Sequence, residues 1–180
     1  IKAKPESTPN KNILSTQATV GEIDGLTTMS RASSVGISKP ATAAAIAGIR
    51  TGDIIRNVDG HEITRWTELE QQLLTAKKAG KAAVVLALER QNALKSHLKI
   101  TLPLEGGEPL FGLEPSDLFL AQVLPKSAAA DAGIKVGDRL VSIQGQKLSR
   151  WEEVVQKIQG FKESEGPLKV DYVREGRLLS

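Results

Sequence analysis

Residues Pro40–Leu73, PATAAAIAGIRTGDIIRNVDGHEITRWTELEQQL, lie on Pro125–Ile158, PKSAAADAGIKVGDRLVSIQGQKLSRWEEVVQKI, at a constant offset of 85 residues without a gap. Of the 34 aligned positions 14 are identical, among them Gly48/Gly133, Gly52/Gly137, Asp53/Asp138, Gly60/Gly145 and Trp66/Trp151. A period this long exceeds a solenoid unit and suits a whole small domain, so the 180-residue chain is expected to fold as two.

Working outward, each copy predicts the same order of elements. An Ala-rich short helix (Thr42–Ala47; Ser127–Ala132) stops at Gly48 or Gly133, the residue suited to the left-handed conformation that ends a helix. Gly52-Asp53 and Gly137-Asp138 then lead into a strand that closes in a turn at Gly60 or Gly145. Thr64 and Ser149 are placed as N-caps, and Ser149-x-x-Glu152 reads as a capping box. Trp66, Leu69 and Leu73, and Trp151, Val154, Val155 and Ile158, recur at helical spacing. Beyond the first helix, Ala82–Arg90 and Leu98–Leu104 read as a hairpin around Gln91–His97. The second copy carries LKVDYVREGRLLS at the same place and stops at Ser180, so its closing strand is expected to be missing.

The boundaries follow. A polar, Pro-containing lead-in (1–12) is expected to be mobile, and the first domain to run over 13–104. Residues 105–109, Glu-Gly-Gly-Glu-Pro, form a connector too short for a flexible tether, and the second domain covers 110–180. The class is mixed α/β of the α+β kind.

Composition narrows the function. With 24 basic against 21 acidic residues and no basic block, no nucleic-acid partner is expected. Cysteine is absent, which removes disulfides, thiol nucleophiles and thiolate zinc sites. No run of about eighteen apolar residues occurs, so no segment of this sequence is expected to span a bilayer. The chain opens at Ile1 and is read as part of a longer protein, monomeric as a fragment.

The segments GIRTGDIIRNVDG (Gly48–Gly60) and GIKVGDRLVSIQG (Gly133–Gly145) resemble the bacterial type of PDZ domain, in which A-G-[IL]-x-x-G-D precedes a strand ending in [DN]-G and then a helix. That resemblance implies two small, partly open β-barrels, each with a short and a longer helix, in the permuted strand order of bacterial proteases. The Trp that opens each long helix, in ITRW and LSRW, is similar to the periplasmic PDZ pair of the regulator-of-sigma-E protease family, the bacterial site-2 proteases. Membership would imply a parent zinc metalloprotease, with zinc held in its membrane domain and none in this fragment. The PDZ pair would then sit as an insert on the periplasmic side of the inner membrane. Its partners would be the parent's own membrane domain and a peptide or periplasmic segment of a single-pass substrate such as a trimmed anti-sigma factor, with the pair acting as a size filter. Two other readings stay open, a peptide-binding pair from a trypsin-like periplasmic serine protease and an assembly scaffold of a secretion system. Flanking sequence would separate the three.

Within a PDZ groove, loop amides accept a ligand's C-terminal carboxylate and the following strand adds the peptide to the sheet. The expected loop in the second domain is Phe111, Gly112 and Leu113, with Val154 and Ile158 as the facing wall. Weaker candidates in the first domain are Val20, Gly21 and Ile23, facing Leu69 and Leu73. No catalytic residue is assigned. His61-Glu62 starts like the zinc motif H-E-x-x-H, but the fourth position onward is Arg65, a cation, and His97 is the one other histidine. No G-x-S-x-G occurs, Gly106-Gly107 lacks the Lys-Ser/Thr of a phosphate loop, and Trp66 and Trp151 are read as packing beneath their own helices.

Overall fold

Alternation of buried and exposed residues makes the sheet of the first repeat. In β7 (Ala83–Glu89), Val84, Leu86 and Leu88 point into the core while Val85 faces out. The strand pairs antiparallel with β8 (His97–Pro103) over seven residues, from Ala83↔Pro103 to Glu89↔His97, and on its other side with β5 (Ile54–Val58). The sheet order is β6-β5-β7-β8, with β6 at His61–Glu62. The computed structural model describes residues 6–9, 19–22, 26–28, 33–90, 96–162 and 166–180. Most of the expected hairpin turn lies outside the described residues.

Two helices complete this unit. The four-residue α1 (Ala43–Ile46) is capped by Thr42, whose hydroxyl accepts from Ala45 N, and it ends at Gly48 with φ +89°. The longer α2 (Trp66–Lys78) buries Leu69, Leu73 and Ala76 on one face, at the expected spacing. Its start is shifted by one residue from the predicted cap. Arg65 is the N-cap, and Glu68 receives the Thr64 and Arg65 amides and the Thr64 hydroxyl. In the second repeat α4 (Trp151–Gly160) starts after Arg150, and Ser149 donates through both its amide and its hydroxyl to Glu153, so Glu153 takes the place predicted for Glu152. The correction has one cause: the carboxylate that closes the box must stand on the third helical residue.

The A-G-I-x-x-G-D signature is a buried polar keystone. Asp53 is 1% exposed, accepts from Arg50 N at 2.8 Å, and is gripped by Arg90 through Nε and Nη2, each at 2.7 Å. The same guanidinium donates to Gly48 O at 2.8 Å, tying the end of α1 to the strand that follows. A charge this deeply buried is tolerated because it is paired in bidentate geometry. Asp138, also 1% exposed, accepts from Lys135 N at 2.7 Å in the second copy.

The second repeat forms a sheet of order β12-β11-β13-β14, with β11 at Arg139–Ile143, β12 at Gln146–Lys147, β13 at Val170–Arg174 and β14 at Arg177–Leu179. Leu120, Leu140, Ile143 and Val154 make its core, with Ile158 and Trp151 packed against it. Trp66 packs likewise on the core of the first repeat. α3 (Ala128–Asp131) is capped by Ser127 and ends at Gly133, φ +80°.

The unit boundaries differ from the expected ones. One unit comprises 29–117 with 174–177, the other 1–28, 118–173 and 178–180. Residues 105–117, which include the expected connector at 105–109 and the expected start of the second domain at 110, group with the first repeat. The reason is strand pairing. β4 (Val35–Gly36) is paired by β9 (Glu114–Pro115), which lies beyond β8, so the first repeat is closed by the residues after its hairpin. In the other unit, the equivalent strand β10 (Leu120–Val123) is paired by β3 (Leu26–Thr28), and the closing strand expected to be missing is present as the three-residue β14. There too, β1 (Glu6–Pro9) pairs with β2 (Thr19–Glu22), so part of the expected mobile lead-in is strand. Among the described residues, no helix is long and apolar enough to cross a membrane.

Candidate functional site

The chain leaves β8 at Leu104, whose carbonyl accepts from Lys77 Nζ on α2, and enters a 3-10 turn at Pro109–Gly112. Leu110 (φ 45°) and Phe111 (φ 61°) are both left-handed, a conformation that costs a non-glycine residue about 1–3 kcal/mol and persists only where surroundings enforce it. Two internal bonds close the turn, Phe111 N to Glu108 O at 3.2 Å and Leu113 N to Leu110 O at 3.1 Å. Gly112, φ +91°, presses on α1. A Cβ there would stand 2.2 Å from Thr42 Cβ, so only glycine fits.

Three further ties hold the loop to the segment before α1. Lys39 pairs with Glu108 at 2.9 Å, Ser38 Oγ donates to Glu114, and Ser116 N donates to Ser34 O at 3.3 Å. Lys77 lies 5.6 Å from the Phe111 ring centroid, within cation–π range. The arrangement therefore puts a loop of backbone amides, an extended strand and a helix around one apolar cluster, with a lysine ammonium beside the loop.

The predicted site residues fall into two places. Phe111 (6% exposed) and Leu113 (2%) share their buried cluster with Leu69 and Leu73, both fully buried, in the first-repeat unit. Val154 and Ile158 belong to the cluster of the other unit. The expected pairing of Phe111, Gly112 and Leu113 with Val154 and Ile158 is thus corrected: the loop faces the helix of the repeat it follows. Val20 and Gly21 lie in β2, outside the unit that holds Leu69 and Leu73, and Ile23 lies outside the described residues. Near the end of α4, a cavity of about 250 Å³ is lined by Ile143, Gln144, Gln146, Lys157, Gly160 and Phe161, which include neither Val154 nor Ile158.

Sequence reasoning missed Thr42, Lys77 and Pro115. A signal for the first two existed: a glycine inside an apolar loop demands a close neighbour, and a basic residue in the last turn of a helix looks for a carbonyl. His61 and Glu62 are exposed on β6, and His97 is exposed at the start of β8. Among the described residues no group of three or more His, Cys, Asp or Glu could hold a metal ion.

A profile of the PDZ domain family matches residues 14–102, and a second PDZ-domain profile matches residues 119–170. Protease RseP of Yersinia pestis is 30% identical over 157 residues, covering 81% of the chain and 34% of that protein. A putative zinc metalloprotease of Neisseria meningitidis is 30% identical over 130 residues, 66% of the chain and 28% of the relative. A probable periplasmic serine protease of Haemophilus influenzae is 39% identical over 59 residues, 33% of the chain and 12% of its own length. The chain thus spans about a third, or less, of the curated relatives it matches.

Proposed function

The chain belongs to the PDZ family, carrying two such domains in tandem, and we propose that it is the non-catalytic substrate-recognition and gating module of an RseP-type intramembrane metalloprotease. The observation that carries this reading is the alignment with RseP-type proteases, which runs over 81% of the chain and so takes in sequence from both repeats. The match to the serine protease, at 33% of the chain, supports a peptide-binding PDZ pair of another parent less well.

In this reading the parent's zinc and its catalytic groups lie in membrane segments, and the PDZ pair stands on the periplasmic side of the inner membrane. The pair meets the periplasmic part of a single-pass substrate before the protease does. Its main work is steric, excluding substrates with bulky periplasmic domains and admitting trimmed ones such as a shortened anti-sigma factor. Selection by exclusion and selection by capture differ when the selector is removed, since an obstacle's loss raises activity and a binder's loss lowers it.

The test compares the membrane enzyme containing this chain with a version lacking residues 33–180. Exclusion predicts that the deleted enzyme cleaves an intact, untrimmed substrate that the complete enzyme leaves alone. Loss of cleavage of the trimmed substrate, with the enzyme still inserted in the membrane, would replace gating by capture.

A further inference from the structure

The cavity at the end of α4 lies wholly within the second-repeat unit, and the first repeat shows how the chain builds the same turn with its own charges. There Asp59 (φ 50°) accepts from Lys81 Nζ and from Val85 N, each at 2.8 Å, and its own amide donates to Val85 O at 2.9 Å. α2 continues through the buried Ala76 to Lys78. In the second copy Gln144 takes the place of Asp59. The turn keeps its form, with φ 49° and the Gln144 amide donating to Lys169 O at 2.9 Å, but it has lost its carboxylate. α4 also stops at Gly160, the residue that corresponds to Thr75, so Phe161 falls outside the helix where Ala76 lies within it. The cavity of about 250 Å³ opens between this shortened helix end and the turn.

Its six lining residues are half apolar and half polar. Ile143, 1% exposed, and the half-buried Phe161 are apolar, and Gly160 adds no side chain. Gln144, Gln146 and Lys157 carry N–H donors, and none of the six is acidic. The Lys157 ammonium donates to Gln146 Oε1, a neutral acceptor, whereas Lys81 meets a carboxylate. Glu153, one turn earlier on α4, has its oxygens on the Ser149 amide and hydroxyl. Three more lysines stand next to lining residues: Lys147 follows Gln146, Lys162 follows Phe161, and the Lys169 carbonyl holds the Gln144 amide. The carbonyls at the end of α4 oppose an anion, and Lys157 in the last turn offsets them. The charge that complements this lining is therefore negative.

We propose that the cavity is a carboxylate-binding site, taking an acidic side chain from a polypeptide segment, with Lys157 as its ion-pair partner and the Gln144 and Gln146 carboxamides as further donors. Its volume, about 250 Å³, is several times the roughly 30 Å³ of one water in the liquid, so the carboxylate enters with its carbon stem against Ile143 and Phe161. A polypeptide source follows the first repeat, where the group at this turn is a side-chain carboxylate of the chain itself. The site does not depend on which protease carries the chain.

The experiment follows proton–nitrogen correlation spectra of the whole chain, side-chain amides included, during titration with the blocked peptide acetyl-AAEAA-amide. Acetyl-AAQAA-amide is its neutral match and sodium butyrate a free carboxylate on a similar stem. Saturable shifts of the Gln144 and Gln146 side-chain amides and of the Gly160 amide are expected with the glutamate peptide and not with its glutamine match. Lys157→Gln should weaken binding about tenfold, the worth of one charge-assisted hydrogen bond, and Gln144→Asp, which returns to the turn the carboxylate of the first repeat, should weaken it at least as much. Lys157 is half-buried and Gln144 exposed, so both variants keep the fold, checked by an unchanged Trp151 unfolding transition. Equal shifts with both peptides, binding that either variant leaves unchanged, or no saturable shift with any of the three probes overturns the site. Butyrate binding as tightly as the glutamate peptide overturns the polypeptide occupant.

Discussion

Replacing Gly112 with Ala separates two costs that the structure keeps distinct. At φ +91° any L side chain is strained, by about 1–2 kcal/mol, and here the new Cβ would also stand 2.2 Å from Thr42 Cβ and 2.4 Å from Thr42 Oγ1. Thr42 cannot withdraw freely, since its hydroxyl caps α1 and donates to Lys39 O. Overpacking of this kind adds about 1–3 kcal/mol, so Gly112→Ala should cost about 2–5 kcal/mol in total. Gly106→Ala is the control, because Gly106 has φ +97° and nothing within 4 Å of its would-be Cβ, and it should show the backbone cost alone. Each unit holds one tryptophan, Trp66 on the first-repeat core and Trp151 on the other, so urea titrations of single-Trp variants report each unit separately. Gly112→Ala should lower the Trp66 transition and leave that of Trp151 in place. Equal losses for Gly112→Ala and Gly106→Ala, or a loss seen through Trp151, would refute the reasoning.

Two other outcomes follow from the buried and capping carboxylates. Arg90→Leu leaves Asp53, 1% exposed, without its bidentate partner and should destabilise the first-repeat unit by about 3–5 kcal/mol in the same titration, with Arg90→Lys restoring only part because an ammonium cannot supply the fork. The Thr64 amide and hydroxyl hold Glu68 below its ordinary range, and those of Ser149 do the same for Glu153. A depressed folded pKa means that the stabilisation is present above the unfolded glutamate range and lost as pH falls through the folded value. Amide protection at the first turns of α2 and α4, taken relative to the intrinsic exchange rate at each pH, should therefore fall at acid pH, and Ser149→Ala should weaken that dependence at α4 alone.

Much of the architecture was legible in the repeat itself. Identical glycines at 48 and 133 stop the short helices in the left-handed conformation, the Gly-Asp pairs lead into β5 and β11 as expected, and both long helices pack on their cores the residues whose spacing announced them. The helix starts were misread by one residue because Thr64 and Ser149 can donate to a carboxylate from just outside the cap as well as accept an amide at it. The loop at 110–113 was assigned to the following repeat for a different reason. A repeat aligned on residues 40–73 and 125–158 says nothing about whether the loop at 110–113 opens the copy that follows or closes the one before. Strand pairing decides it: β4 needs a partner, and Glu114-Pro115 supplies it once β8 has ended.

That Phe111 and Leu113 close the first repeat is tested most directly by methyl NOEs from Leu113 in the chain labelled at Ile, Leu and Val methyls. Cross-peaks from the Leu113 methyls to those of Leu69 or Leu73 are predicted, because all three side chains share one buried cluster. Cross-peaks to Val154 or Ile158 instead would return the loop to the second repeat and contradict its placement on the first-repeat core.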